Sequence, residues 1–351
     1  MAKDIISLVF YEISEARPLY LFKLWAEDSY LEDCNSLSSQ QISNLLEKIG
    51  SMEEERERFF WKWIKMQGEI KAIIFDITSI SSYSKFIESL EWGYNRDGEN
   101  LPQINFGIIV GGDSELPLSY RIYPGSIPDV STLKNILNHL KSFGLKEYLF
   151  VLDRGFYSET NIAEMDREGI GFILPMPLGR KIAGALISKN KKALSSPLSG
   201  FYLQKHALFH VKRGVKVSGI SVQAHLYLDE KRRAEEIEGL MRKLVEIEDG
   251  VRGRRFLRGG DQRFLRGEEV ERFIEERIKG GKKLFSIRVR DGKAKLVRKE
   301  KVLSRLMERM GKMIIITNRE GLGREEILLL YRRKDRIEKL FDVMRTRVLN
   351  F

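Results

Sequence analysis

Residues 72–78 read Ala-Ile-Ile-Phe-Asp-Ile-Thr, a short apolar run that contains one carboxylate, Asp76. A second apolar run, Tyr148-Leu-Phe-Val-Leu-Asp153, ends in a second carboxylate, Asp153. Continuous runs rich in Ile, Val, Phe and Leu are typical of strands buried on both faces. A buried carboxylate is unfavourable unless it is paired or lies at the end of a sheet, where open α/β sheets bind ligands. The two runs therefore predict an α/β fold with an acidic site, although each aspartate by itself is also compatible with a simple turn.

The stretch from Glu326 to Phe351 has the spacing of one amphipathic helix. At about 100° per residue, an apolar arc is formed by Ile327, Leu330, Ile337, Phe341, Met344 and Val348. Along one edge of that arc, within about 60°, lie Tyr331, Lys334, Glu338 and Arg345. The helix is thus predicted to carry one carboxylate beside a phenol and two cations. The same pattern also fits an ordinary Lys334–Glu338 ion pair on a surface helix.

Together these segments resemble the DDE transposases of insertion sequences, in the subgroup with a Tyr-Arg-Glu-Lys signature. The resemblance rests on Asp76 in Phe-Asp-Ile-Thr, Asp153 in Asp-Arg-Gly-Phe-Tyr-Ser, and the stretch Tyr331 to Glu338. It extends from about Tyr30 to Arg345 through Trp92–Gly98, Pro102–Gly107, Tyr123–Gly125 with Asp129, and Ile316–Asn318. The chain departs from the signature at both cation positions, since Lys334 replaces its Arg and Arg345 its Lys. Lys334 therefore lacks the bidentate fork that Arg offers a phosphate.

The resemblance implies a ribonuclease-H-like fold and a metal-dependent site for DNA cleavage and strand transfer. Asp76, Asp153 and Glu338 would bind two Mg²⁺ ions, roughly 3.5–4 Å apart, with Mn²⁺ able to substitute. Tyr331, Lys334 and Arg345 would contact phosphates beside the cut. The implied partner is double-stranded DNA, both the terminal repeats of the element and the target, bound by a homodimer.

The order of predicted elements fits a mixed sheet with flanking helices, in four regions. Residues 1–70 form a separate helical region, and residues 71–177 begin the catalytic domain with three strands, a helix from Asp129, a strand, a helix and a strand. Residues 178–312 form an insertion with strands Phe201–Val215 and Val217–Leu228 and a charged helix from about Asp229 to Asp249. Residues 313–351 supply the last strand and the acidic helix.

The N-terminal region contains two predicted helices around Gly50. Serines beginning at Ser38 are expected to cap the first, and Ser51-Met-Glu-Glu54 is expected to open the second with a capping box. Two short helices around a glycine turn suit a helix-turn-helix for DNA binding. They suit a packing or dimerisation module equally well.

Bulk composition limits the class of protein. The chain has 351 residues, 42% of them hydrophobic, and a formal net charge of +11, which suits a polyanionic partner. The single cysteine, Cys34, excludes an intramolecular disulfide and fits a reducing compartment. No signal peptide and no apolar run of about 18 residues is present, so we expect a cytoplasmic, nucleoid-associated protein without membrane contact.

Three alternatives to an active transposase are compatible with the sequence. A ribonuclease-H-like nuclease would share the acids but lack strand transfer. A shortened, inactive relative would act only as a DNA-binding protein, and the end of the sequence at Phe351 leads us to expect a loosely held last helix. A glycoside hydrolase with two carboxylates would leave the basic surplus unexplained.

Most of the net positive charge lies in one segment of the insertion. Between Arg252 and Lys301 there are 18 Lys and Arg against 8 Asp and Glu. A short repeat, Arg-Phe-Leu-Arg-Gly, places cations beside aromatics. The candidate DNA contacts are its four arginines, Arg255, Arg258, Arg263 and Arg266, and the adjacent Arg254. Cations in such a segment release counterions when they bind DNA. A solvated, glycine-rich loop is the competing interpretation.

The two interpretations predict different salt dependence. Replacing the five arginines with Gln should weaken binding to all DNA sequences alike and flatten the slope of log affinity against log salt by up to about 0.9 per lost contact. Fluorescence anisotropy across a salt series measures that slope. An unchanged slope would identify the segment as a solvated loop.

Overall fold

The computed structural model describes residues 1–15, 17–29, 35–95, 98–252, 256–258, 261–263, 267–290 and 293–344. It is a mixed α/β protein, as predicted. The strands are β1 Ala72–Ser81, β2 Gln103–Gly111, β3 Pro117–Pro124, β4 Leu149–Leu152, β5 Gly171–Pro175, β6 Gly200–Leu203, β7 His206–Val217, β8 Ile220–Asp229, β9 Phe256–Arg258, β10 Asp261–Arg263, β11 Phe285–Arg290, β12 Lys293–Arg298 and β13 Lys312–Thr317. The helices are α1 Ala2–Ser14, α2 Phe22–Asp28, α3 Ser39–Ser51, α4 Glu53–Met66, α5 Asp129–Ser142, α6 Glu159–Arg167, α7 Lys181–Lys189, α8 Lys191–Leu194, α9 Glu230–Arg252, α10 Gly267–Arg277, α11 Glu300–Met307, α12 Arg324–Arg332 and α13 Lys334–Val343.

The chain divides into two compact units. The first contains Met1–Pro175, Lys216–Val222 and Thr317–Phe351. Its strands lie side by side in the order β3-β2-β1-β4-β5. β2 is antiparallel to both β1 and β3, whereas β4 is parallel to both β1 and β5. Along the chain, three strands, α5, β4, α6 and β5 follow one another in the predicted order.

β1 is the central strand of this unit, and its first eight residues are buried. Phe75 on this strand packs against Phe150 of β4, with ring centroids 6.3 Å apart, and against Phe156, at 5.3 Å. All three rings are fully buried. Burying a Phe side chain contributes about 1.5–3 kcal/mol. This packing fixes the register of the two strands that carry Asp76 and Asp153.

The predicted helix from Asp129 is confirmed as α5. Its apolar face is buried in the core and consists of Leu133, Ile136, Leu137 and Leu140. Residues spaced by three and four positions share one face of a helix, which is why the sequence pattern identified this element correctly.

The N-terminal helices belong to the first unit, whereas the sequence predicted a separate region for residues 1–70. α4 packs against β3, where the Trp63 indole donates to the carbonyl of Pro117 at 2.7 Å. On the same helix, the Glu57 carboxylate lies 3.6 Å from the Arg121 guanidinium. Both contacts join residues that are distant along the chain, and sequence periodicity carries no information about such pairs.

One of the two predicted helix caps is correct. Ser38 caps α3 in a reciprocal capping box with Gln41. The capping box predicted at Ser51 is wrong, because α3 continues through Gly50 to Ser51, whose hydroxyl donates to the Lys48 carbonyl at 2.8 Å. The hydroxyl satisfies a carbonyl at the end of its own helix and so is not the cap of the next one.

The second unit consists of Met176–Val215 and Gln223–Ile316, where the sequence predicted an insertion over residues 178–312. Its larger strands lie in the order β13-β8-β7-β6. A buried cluster is contributed by α9, α10, α11 and β11 and contains Leu240, Leu244, Ile247, Val270, Phe273, Ile274, Phe285 and Leu303. Among the helices described in either unit, none is long and apolar enough to cross a membrane.

The predicted strand Phe201–Val215 is a hairpin instead. β6 and β7 pair antiparallel, with Leu203 opposite His206. Gln204 and Lys205 form the turn with φ values of 47° and 67°. Two successive residues at positive φ make the tight turn that suits the twist of a hairpin, usually with Asn or Gly. The turn was missed because neither residue is typical of it.

Two buried amides on β2 hold the segment that precedes β2 and the segment that follows β3. Gln103 Nε2 donates to the Tyr94 carbonyl at 3.0 Å, and Asn105 Nδ2 donates to the Ile127 carbonyl at 2.9 Å. Gly125 lies so close to this network that a Cβ on it would fall 2.1 Å from the Gln103 carbonyl oxygen. A rigid backbone atom cannot yield as a flexible side chain can, so this position accepts only glycine.

Gly125→Ala should therefore destabilise the first unit, by about 1–3 kcal/mol, because the new methyl group overpacks a rigid site. The matched control is Gly50→Ala, since a Cβ there meets nothing within 4 Å and alanine is the better helix former. Urea unfolding followed by circular dichroism measures both variants. Equal stability of the two variants would contradict the close approach at Gly125.

Candidate active site

Asp76 and Asp153 lie at the same level of two neighbouring parallel strands. The register pairs Phe75 of β1 with Leu152 of β4, so the next residues along the two strands are the two aspartates. The Asp76 side chain is only 4% exposed, whereas that of Asp153 is 33% exposed. Asp153 directly precedes a short 3-10 helix, Arg154–Phe156, where the chain turns away from the sheet. The site is thus buried on the β1 side and open on the β4 side.

Glu338 lies on α13, the last described helix. The sequence predicted one continuous helix here, but the structure has two, α12 and α13, with a break at Arg333. At the break the spacing of the backbone hydrogen bonds drops from four residues to three, because the Arg336 amide donates to the Arg333 carbonyl. Tyr331 and Lys334 therefore lie on two different helices, one on each side of the break.

Arg333 and Arg336 fasten α13 to the turn between β2 and β3. The Arg333 guanidinium donates to the Gly112 carbonyl and lies 3.5 Å from the Asp113 carboxylate. Arg336 forms an ion pair with Glu115. Sequence reasoning assigned neither arginine a role, because each partner lies in a much earlier part of the chain. No sequence signal distinguishes these two cations from the others on the same helix.

The apolar face of α13 completes this attachment. Ile337 and Phe341 are buried, and the Phe341 ring packs edge-on to Phe106 of β2 with centroids 6.4 Å apart. Hydrophobic packing and the two arginine contacts together fix the helix over β1 and β2. Glu338, one residue after Ile337, is thereby placed beside the middle of β1, where Asp76 lies, and the carboxyl end of β4.

The three carboxylates meet at one cation, the ammonium group of Lys334. Its Nζ donates to Glu338 Oε1 at 2.8 Å and lies 3.4 Å from Asp153 Oδ1 and 3.6 Å from Asp76 Oδ2. The Lys334 side chain is 8% exposed, so the charge sits in a poorly hydrated environment where these interactions are strong. Three carboxylates against one ammonium leave the cluster with a formal excess of negative charge.

The electrostatics of the cluster shift two titrating groups. Burial alone would lower the pKa of Lys334, but the charges of Asp76 and Asp153 and the hydrogen bond to Glu338 outweigh it and raise that pKa. Lys334 is therefore charged throughout the physiological range. Burial, reinforced by the nearby charge of Asp153, raises the pKa of Tyr331 to about 12, so its phenol stays a neutral hydrogen-bonding group.

The distances to Lys334 Nζ limit how far apart the acids can be. Each of the three carboxylate oxygens lies within 3.6 Å of the same nitrogen, so no two of them can be separated by more than twice that distance. Even so, no three His, Cys, Asp or Glu side chains among the described residues form a group that could hold a metal as they stand. The oxygens surround the Lys334 nitrogen at 2.8–3.6 Å, whereas Mg²⁺ takes its oxygen ligands at about 2.0–2.1 Å.

The predicted DNA contacts fall into two groups. Tyr331 and Lys334 lie at the cluster, and Lys334 faces the carboxylates rather than solvent. Arg254, Arg255, Arg266 and Arg345 lie outside the described residues. Arg258 and Arg263 lie in β9 and β10, a two-stranded pair whose backbone alone is described. The phosphate contacts predicted for these arginines stay predictions.

The architecture and the cluster define an α/β protein in which three carboxylates surround one lysine, beside the middle of β1 and the carboxyl end of β4. A family model described as the transposase DDE domain matches residues 67–351. The match covers well over half of the chain, so the chain belongs to this transposase family. No curated protein matches the sequence. Family membership assigns a transposase function, with DNA as the substrate class.

Proposed function

We propose that the chain is an insertion-sequence transposase that cleaves DNA at element ends and transfers the freed strands in a metal-dependent reaction. Asp76, Asp153 and Glu338 are the proposed metal ligands, on a ribonuclease-H-like core. The observation that carries the proposal is the convergence on a single cation of three acids, one on β1, one directly after β4 and one on α13. The order of strands and helices and the parallel pairing of β1 with β4 support the proposed fold.

The donor set suits Mg²⁺ or Mn²⁺. All three groups offer only carboxylate oxygens, which hard divalent cations prefer, and there is no thiolate or imidazole among them. A pair of ions about 4 Å apart, each with ligands at about 2 Å, requires oxygens spread over several ångströms. Each acid oxygen lies within 3.6 Å of the Lys334 nitrogen, so two of these oxygens can be up to twice that distance apart. A separation in that range is compatible with a pair of metal ions. Asp153 and Glu338 are partly exposed, so the site remains open to a substrate.

When bound, the metal ions would activate a water or a 3′ hydroxyl and stabilise the leaving oxygen of the scissile phosphate. The residues of the chain would hold those ions in place and exclude water from the Asp76 side of the site. Tyr331, which stays protonated, can donate a hydrogen bond to a phosphate oxygen beside the cut. Lys334 would supply a positive charge to the same phosphate.

The remaining assignments follow from this function. Residues 71–177 and 313–351 would form the catalytic domain, and residues 178–312 an insertion that tracks DNA through its basic segment. Residues 1–70 would assist DNA binding or dimerisation. An element has two ends and each needs an active site, which favours a homodimer on DNA. A basic DNA-binding protein of this kind would be associated with the nucleoid.

Asp76→Asn, Asp153→Asn and Glu338→Gln should each lower the rate of strand cleavage at least about a hundredfold, because several kcal/mol of transition-state stabilisation depends on the metal ligands. DNA affinity should stay within a few-fold, since phosphate contacts elsewhere supply most of it. The assay uses a duplex carrying the ends of the chain's own element with Mg²⁺, and resolves both cleaved and joined products.

Asp342→Asn is the matched control, because Asp342 is an exposed acid one helical turn beyond Glu338. Its cleavage rate should equal that of the wild type. Normal cleavage by any of the three site variants would remove that residue from the proposed set. Cleavage without joined products would identify a nuclease instead of a transposase.

A further inference from the structure

The ammonium of Lys334 occupies the centre of the proposed metal site. It makes close approaches to all three acids, and its side chain is nearly fully buried. Lys334 and Glu338 lie four residues apart on α13, so one turn of helix carries both the third acid and the cation that neutralises it. A surface ion pair would need only one of these acids. Contact with three, two of them from strands distant in sequence, requires a more specific explanation.

We propose that Lys334 is a tethered substitute for the metal, which holds the three carboxylates together in the DNA-free protein and must move out before divalent ions bind. This inference rests on the proposed function of Asp76, Asp153 and Glu338. Without a cation, three carboxylates gathered around one point would repel and push the strands and α13 apart. The ammonium removes most of that repulsion and keeps the site assembled.

A divalent ion and the ammonium cannot both occupy this position. The ion would need the same oxygens at shorter distances, and the two positive charges would repel within a poorly hydrated site. Metal binding in the free protein is therefore weakened by competition with a group that is always present at high local concentration. The free protein would load metal poorly, which limits cleavage of the wrong DNA.

DNA supplies the place to which Lys334 moves. A phosphate that enters on the exposed side, where Asp153 and Glu338 are partly open, offers a negative charge to the displaced ammonium. Lysine suits this exchange because its charge is compact and sits on a flexible four-carbon stem. Metal loading and substrate binding become coupled.

The affinity of the DNA-free protein for Mn²⁺ tests the competition. Lys334→Met keeps much of the side-chain volume but removes the charge, and should tighten Mn²⁺ binding at least tenfold in isothermal titration calorimetry. Lys339→Met is the matched control, since Lys339 is an exposed lysine on the same helix, and should bind Mn²⁺ as the wild type does. Asp153→Asn should bind Mn²⁺ more weakly than the wild type.

Chemical labelling of the wild-type protein gives a second measurement that needs no variant to fold. Reductive methylation followed by mass spectrometry should show Lys334 protected without metal and at least several-fold more reactive with saturating Mn²⁺, while Lys339 reacts equally in both. Unchanged labelling of Lys334, or Mn²⁺ affinity in Lys334→Met equal to or weaker than the wild type, would overturn the inference and leave the proposed function standing. Equal Mn²⁺ affinity of Asp153→Asn and the wild type would overturn the proposed function itself.

Discussion

The arrangement of three carboxylates around one ammonium is the constraint on which the site depends. Asp76 is almost completely buried, and a buried carboxylate persists as a charge only if a cation compensates it. Lys334 supplies that cation and links the helix that bears Glu338 to the strands that bear the two aspartates. Several other features, such as the Phe75 packing, the β1–β4 register and the anchoring of α13 by Arg333, serve to bring these four groups to one point.

The sequence predicted the parts of this arrangement that arise from local patterns. Asp76 and Asp153 were found because an acid inside an apolar strand conflicts with burial, and conflicts of this kind mark functional positions. Glu338 was found through helical spacing. The break at Arg333 was not predictable, since the partner of its guanidinium is the Gly112 carbonyl, which belongs to a turn in a much earlier part of the chain. Lys334 was identified as a neighbour of Glu338, but its contacts with both aspartates emerge only in three dimensions.

The distinction between local and distant contacts also explains the other differences between the predicted and the observed structure. The helix that begins after Ser38 was predictable because Ser38 caps it through Gln41, only three residues away. The packing of α4 was not predictable because Trp63 bonds to Pro117, which is distant in sequence. The hairpin between β6 and β7 uses Gln204 and Lys205 at positive φ, where a prediction would require Asn or Gly. The family match begins at residue 67 and includes residues of both units, although the acids of the proposed site all lie in the first unit.

The location of bound metal tests the central claim most directly. Crystals of the protein with Mn²⁺ and a short DNA duplex, measured at the manganese absorption edge, would place the ions by their anomalous scattering. The account predicts one or two peaks within about 2.2 Å of carboxylate oxygens of Asp76 and Asp153, with Lys334 Nζ displaced toward a phosphate. Peaks elsewhere, or an ammonium that remains between the three acids while cleavage proceeds, would contradict it.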